Sequence, residues 1–115
     1  MFDFEDFPVY KKALQSYSQV LKILSNLKID KSIRDQLRRA SLSIVLNIAE
    51  GAGKYSKNDK KNFYLIARGS TNESVAIIRI IKIEGEIVDE LYNSLYSDYL
   101  EIAKMLTMLI KAMLK

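Results

Sequence analysis

Gly51-Ala52-Gly53-Lys54-Tyr55-Ser56 sets two glycines ahead of a lysine and a hydroxyl residue. Phosphate-binding loops use this chemistry: glycine amides cradle the phosphates, the lysine neutralises them and a Ser or Thr hydroxyl reaches the magnesium ion. That loop requires G-x-x-x-x-G-K-[ST] directly after a strand. Here the first glycine position falls on Ile48, Tyr55 follows the lysine, and the preceding segment has a helical period. The stretch therefore reads as a turn between two helices. Gly51 or Gly53 is expected to close one helix in a left-handed conformation, and Ser56 to open the next. Lys54, Lys57, Lys60 and Lys61 make the turn strongly positive.

Other catalytic chemistry has few residues to draw on. The chain has no histidine and no cysteine, so the commonest general base, the commonest zinc ligands and any thiol nucleophile are missing. Glu50 and Glu73 could form a carboxylate pair. Without a recognisable ligand set they read more simply as ion-pair partners, and neither a metal nor a cofactor is expected. The reading is non-enzymatic.

Composition and charge set the frame. A chain of 115 residues suits one domain, residues 1–115, and 49% hydrophobic content is too apolar for a disordered chain. No apolar run approaches the ~20 residues of a membrane span, and MFDFEDF lacks the apolar region of a signal peptide. A cytoplasmic protein without membrane contact is expected. Net charge is +4, unevenly spread: residues 31–82 hold eleven Lys/Arg against four acids, and residues 83–115 three against six. A basic middle permits a nucleic-acid footprint on part of the surface.

The elements that position these residues follow from the period of the apolar residues. Pro8 suits the first turn of a helix carrying Tyr10, Ala13, Tyr17, Val20, Leu24 and Leu27, which should fade near Lys28. Asp30 can cap a second helix with Ile33, Leu37, Ala40, Ile44 and Ile48 on its seam. Ser56 and Asp59 make a weak capping box for a third, with Phe63, Ala67, Ser70, Ser74, Ile77, Ile78 and Ile81 inward and Gly85 as its stop. Asp89 can cap a fourth, built on Tyr92, Leu95, Tyr99, Ile102, Leu106, Leu109 and Met113. The predicted architecture is all-α, an up-down-up-down antiparallel four-helix bundle.

Two helices carry more than one bundle needs. On the second, Leu42, Val45, Leu46 and Ala49 lie off the core seam, beside a polar stripe of Arg39, Ser43, Asn47 and Glu50. On the third, a second apolar row runs through Leu65, Gly69, Ala76, Ile80 and Ile83, with Glu73 in its arc. Such faces predict self-association through helices two and three. Glu50 and Glu73 are then expected to pair with Arg39 or Arg68. The third helix also has a basic row, Lys57, Lys61, Arg68, Asn72, Arg79 and Lys82, with Lys54 at the hairpin and Tyr64 flanking it as a stacking residue. An acid-free row of this length can track a phosphate backbone.

Leu37-Arg38-Arg39-Ala40-Ser41-Leu42-Ser43-Ile44, then Asn47-Ile48-Ala49-Glu50-Gly51, resembles the RRA-x-SI-x-x-NIAEG signature of the four-helix-bundle proteins encoded by 23S ribosomal-RNA intervening sequences. Phe63 with Ala67-Arg68-Gly69-Ser70 and Glu73 is similar to that family's F-x-x-x-ARGS-x-x-E. Phe4 and Val9-Tyr10-Lys11-Lys12-Ala13 resemble its opening, and Glu101-Ile102-Ala103-Lys104-Met105-Leu106 its last helix. The resemblance implies a homopentamer with Arg39, Asn47, Glu50, Gly69 and Glu73 inside or between subunits. It also implies a fold shared with the accessory variability determinant of diversity-generating retroelements, a relative that binds nucleic acid and partners a reverse transcriptase. Two functions follow as expectations. The first is an oligomeric RNA- or DNA-binding protein acting through Lys54, Lys57, Lys61, Arg68, Arg79 and Lys82. The second is a protein–protein adaptor, for example for a reverse transcriptase.

Overall fold

The computed structural model describes residues 1–115. A single 3-10 turn, Asp3–Asp6, leads into four α-helices: α1 Pro8–Leu24, α2 Lys31–Ala52, α3 Lys57–Ile83 and α4 Asp89–Met113. Each helix packs on its neighbours in sequence, and α4 closes back on α1. No diagonal pair approaches within 8 Å between Cα atoms. This is the up-down-up-down antiparallel bundle that the periodicity predicts, 45 Å long and 26 × 23 Å across.

The core runs the length of the bundle. Leu37, Ile44, Ile48, Ile78, Ile81, Leu95, Ile102 and Leu106 are almost wholly removed from water, and each such side chain stabilises the fold by about 1.5–3 kcal/mol relative to exposure. Hydroxyls sit within it, each donating to a helix carbonyl: Ser16 to Ala13, Ser41 to Leu37, Thr71 to Ala67 and Ser74 to Ser70. Bonded in this way, a buried hydroxyl avoids the desolvation penalty of an unpaired one. Asp98 on α4 is the one buried carboxylate. It accepts a hydrogen bond from Gln19 of α1 and lies 3.7 Å from Lys12 Nζ, which also reaches Glu101 at 3.0 Å.

Four local expectations are corrected. α1 ends at Leu24, before Lys28, so Leu27 is exposed and Ile29 takes the core position. Val45, placed off the core by its wheel position, is buried. Asp30 occupies the N-cap of α2 without a side-chain cap bond, its carboxylate being taken by the Ser32 hydroxyl. Val88 is the N-cap of α4, and Asp89, one residue inside, pairs with Lys82. Ser56 does cap α3, its Oγ accepting from the Asp59 amide at 3.1 Å.

Candidate nucleic-acid interface

The glycine hairpin is a packing device. Neither Gly51 nor Gly53 is left-handed; the one positive φ is at Gly85, +76°. Gly51 is buried, and a Cβ there would stand 2.8 Å from Cε1 of Tyr64 and 3.1 Å from Cβ of Phe63. Glycine therefore lets α2 and α3 meet where they cross. Lys60 Nζ donates to the carbonyls of Gly51 and Ala52, at 3.5 and 2.9 Å, and satisfies the open end of α2. Tyr64 is buried, and burial raises its pKa. It cannot stack on a base as its place beside the basic row suggested.

The predicted basic row is divided by its surroundings. Lys82 pairs with Asp89 and lies 5.1 Å above the Tyr92 ring. Lys54 stands 3.6 Å from Glu50 and 5.2 Å above Phe63. Lys57 donates to the backbone oxygen of Lys115 at 2.8 Å. Arg68 turns to α4, its guanidinium 3.5 Å from Thr107 Oγ1. Lys61, Arg68 and Arg79 have no acid within 4 Å, and α4 adds Lys104, also free of any acid partner. Arg68 and Arg79 thus turn toward α4, Arg68 to Thr107 and Arg79 to a recess shared with Tyr96 and Leu100, while Lys104 and Thr107 border a shallow recess on α4 with Leu100, Ala103 and Met108. Lys104, Thr107 and Tyr96 were missed because a wheel drawn for one helix does not show the neighbouring helix. Their signal was the Tyr96, Leu100, Lys104 spacing, off the Tyr92–Met113 seam.

The second apolar row is exposed as expected. Leu46 on α2 and Leu65, Ile66, Ile80 and Ile83 on α3 are all open to solvent, as are Gly69 and Ala76, while Leu42 and Ala49 are half-buried. A short polar link joins the two helices beneath them. Ser43 and Ser70 hydroxyls are 2.8 Å apart, and Asn47 Nδ2 donates to the Ser43 carbonyl and hydroxyl at 2.8 and 3.0 Å. The expected pairing of Glu50 or Glu73 with Arg39 or Arg68 does not occur within the chain. Glu50 faces Lys54, Arg68 faces Thr107, and Arg39 and Glu73 have no ionic partner. No three carboxylates gather as a metal ion would need, and no helix is long and apolar enough to cross a membrane.

The fold is thus an antiparallel four-helix bundle with unpaired cations along its α3–α4 side and an open apolar face on α2 and α3. The model of the 23S rRNA-intervening sequence protein family matches residues 5–108, and the chain belongs to that family. Among solved structures it is similar to a protein of unknown function from the S23 ribosomal protein family of Bacteroides thetaiotaomicron VPI-5482. The two share 29% identity and a TM-score of 0.83, over 90% of this chain and 98% of the other. No curated protein matches the chain.

Proposed function

We propose that the protein is a non-catalytic, cytoplasmic, oligomeric nucleic-acid-binding protein whose phosphate-binding surface is the α3–α4 seam. One observation carries this reading. Arg68 and Arg79 of α3 reach α4, Lys61 shares their face of α3, Lys104 lies on α4 beside Thr107, and none of the four has an acid within 4 Å. The remaining sequence candidates contribute less, because Lys54 and Lys82 are already paired. The mechanism is electrostatic: cations displace condensed counterions from a phosphate backbone, without dependence on sequence. Self-association through the exposed α2–α3 face, into the pentamer that the family resemblance implies, repeats the seam and converts weak contacts into avidity.

RNA and DNA binding across a salt series tests the proposal, with assembly checked by light scattering. Affinity is expected to fall linearly in log salt and to disappear in the Lys57→Glu, Lys61→Glu, Arg79→Glu variant. Absence of binding at low salt by an assembled protein overturns it. The second reading then takes its place: an adaptor in which the assembly is a scaffold and the same unpaired cations meet an acidic protein partner, such as a reverse transcriptase.

A further inference from the structure

At the Arg79 end of the basic seam the surface changes character. Asn72, Val75, Ala76 and Arg79 of α3 and Tyr96 and Leu100 of α4 line a recess of about 380 Å³, whose most buried lining residues are Thr71 and Tyr99. Its volume lies within the usual range of ligand pockets, about 300–1,000 Å³. Tyr96 is 38% exposed. Its ring is held against Tyr92, centroids 6.0 Å apart and planes inclined by 30°, and Lys82 Nζ lies over the Tyr92 ring. Tyr96 is thus propped by its neighbour while it lines the recess. From Lys61 through Arg68 to Arg79 the cations cover about 27 Å of helix at 1.5 Å per residue.

Phosphates have no use for an aromatic, largely apolar wall. A base freed from its stack has a π-face for the ring and polar edges for an amide such as that of Asn72. A basic track joined to an aromatic platform is how proteins hold single strands, whereas a duplex keeps its bases stacked and out of reach. Resting on the seam's role as the phosphate-binding surface, we propose that the Asn72–Arg79–Tyr96 recess receives an unstacked nucleobase. The ligand is then single-stranded nucleic acid, with Arg79 on the adjoining phosphate.

The test compares oligothymidylate with a duplex of equal length, at fixed salt, on the assembled protein and on Tyr96→Ala and Tyr96→Phe. The proposal expects tighter binding of the single strand and a loss of about tenfold or more in Tyr96→Ala, within the range for removing one stacked base. Tyr96→Phe should retain affinity, because it keeps the ring. Duplex binding and the slope against log salt should be the same in all three proteins, because no cation is removed. Equal affinity for both ligands in the wild type, or an equal loss on both in Tyr96→Ala, overturns the base pocket and leaves the basic seam standing. No binding of either ligand at low salt overturns both.

Discussion

At the residue scale, what looked like ligand chemistry at Gly51 is steric. Alanine is the better helix former there by about 0.8–1 kcal/mol. The added methyl, however, would meet the ring of buried Tyr64 at 2.8 Å and the Phe63 Cβ at 3.1 Å, and overpacking of this kind costs typically about 1–3 kcal/mol. The steric term wins, since Phe63 Cβ moves only with its backbone. Gly51→Ala is expected to lose about 1 kcal/mol in urea unfolding; a gain would mean that the Tyr64 ring yields freely. The titrating residues act at this scale too. Without histidine, no side chain has an ordinary pKa between pH 5 and 8. Burial raises the pKa of Tyr64 and of Tyr99 above 10.0, and the bond to Glu101 raises that of Lys12 above 10.5. All three favour the folded state below those values, and the contribution is lost as pH rises through the higher folded values. Lys31 lowers the pKa of Asp35 below 3.8, so its contribution holds above that value and is lost as pH falls. Thermal stability measured against pH should be flat across neutrality and fall above pH 10 and below pH 4; a midpoint transition near pH 6–7 would contradict this.

At the element scale, helix termini decide where the sequence could be read and where it could not. Gly85 is the plain case: it follows α3 at φ +76° with open space around it. A side chain there meets backbone strain and no clash. Gly85→Ala should cost about 1–2 kcal/mol, the usual left-handed penalty, read as a lowered denaturation midpoint with the helical circular dichroism unchanged. Equal stability would mean that the α3–α4 link relaxes to another turn. The end of α1 was hidden because Leu24 and Leu27 extend the helical period beyond the real stop. Asn26 sets that stop: its Oδ1 accepts from the Lys28 amide at 3.0 Å, and its Nδ2 donates to the Glu86 carbonyl and carboxylate at 3.2 and 3.1 Å. A short polar side chain bonding its own backbone competes with helix, and this one also ties the α1–α2 link to the α3–α4 link, 60 residues away. The candidate site divides in the same way. Lys61, Arg68 and Arg79 share one face of one helix, which a wheel displays. Thr107 on Arg68, Asp89 on Lys82 and Tyr96 beside Arg79 depend on the pairing of α3 with α4, which no single-helix period contains.

At the scale of the whole molecule, α3 serves two surfaces. Its α4 side carries the basic seam, with Ala76 at the edge of the Arg79–Tyr96 recess, and its outer arc carries Leu65, Gly69 and Ile80, all exposed with Glu73 among them. Scattered apolar residues are normal on a surface, but a row shared with Leu46 of α2 and edged by unpaired Arg39 and Glu73 is suited to a copy of the chain that brings the opposite charge. Gly69 separates folding from assembly. Nothing lies within 4 Å of a Cβ placed there, so within one chain Gly69→Ala changes only helix propensity and should add about 0.8–1 kcal/mol of stability. Where two helices meet closely, the same methyl holds their backbones apart. Gly69→Ala, and more strongly Ile80→Glu, should therefore lower the mass measured by light scattering at a given concentration, while the unfolding midpoint of the dissociated Gly69→Ala chain rises. A mass equal to wild type in both variants would remove the α2–α3 face from the assembly. The assembly, and with it the repetition of the basic seam, would then have to run through another face of the bundle.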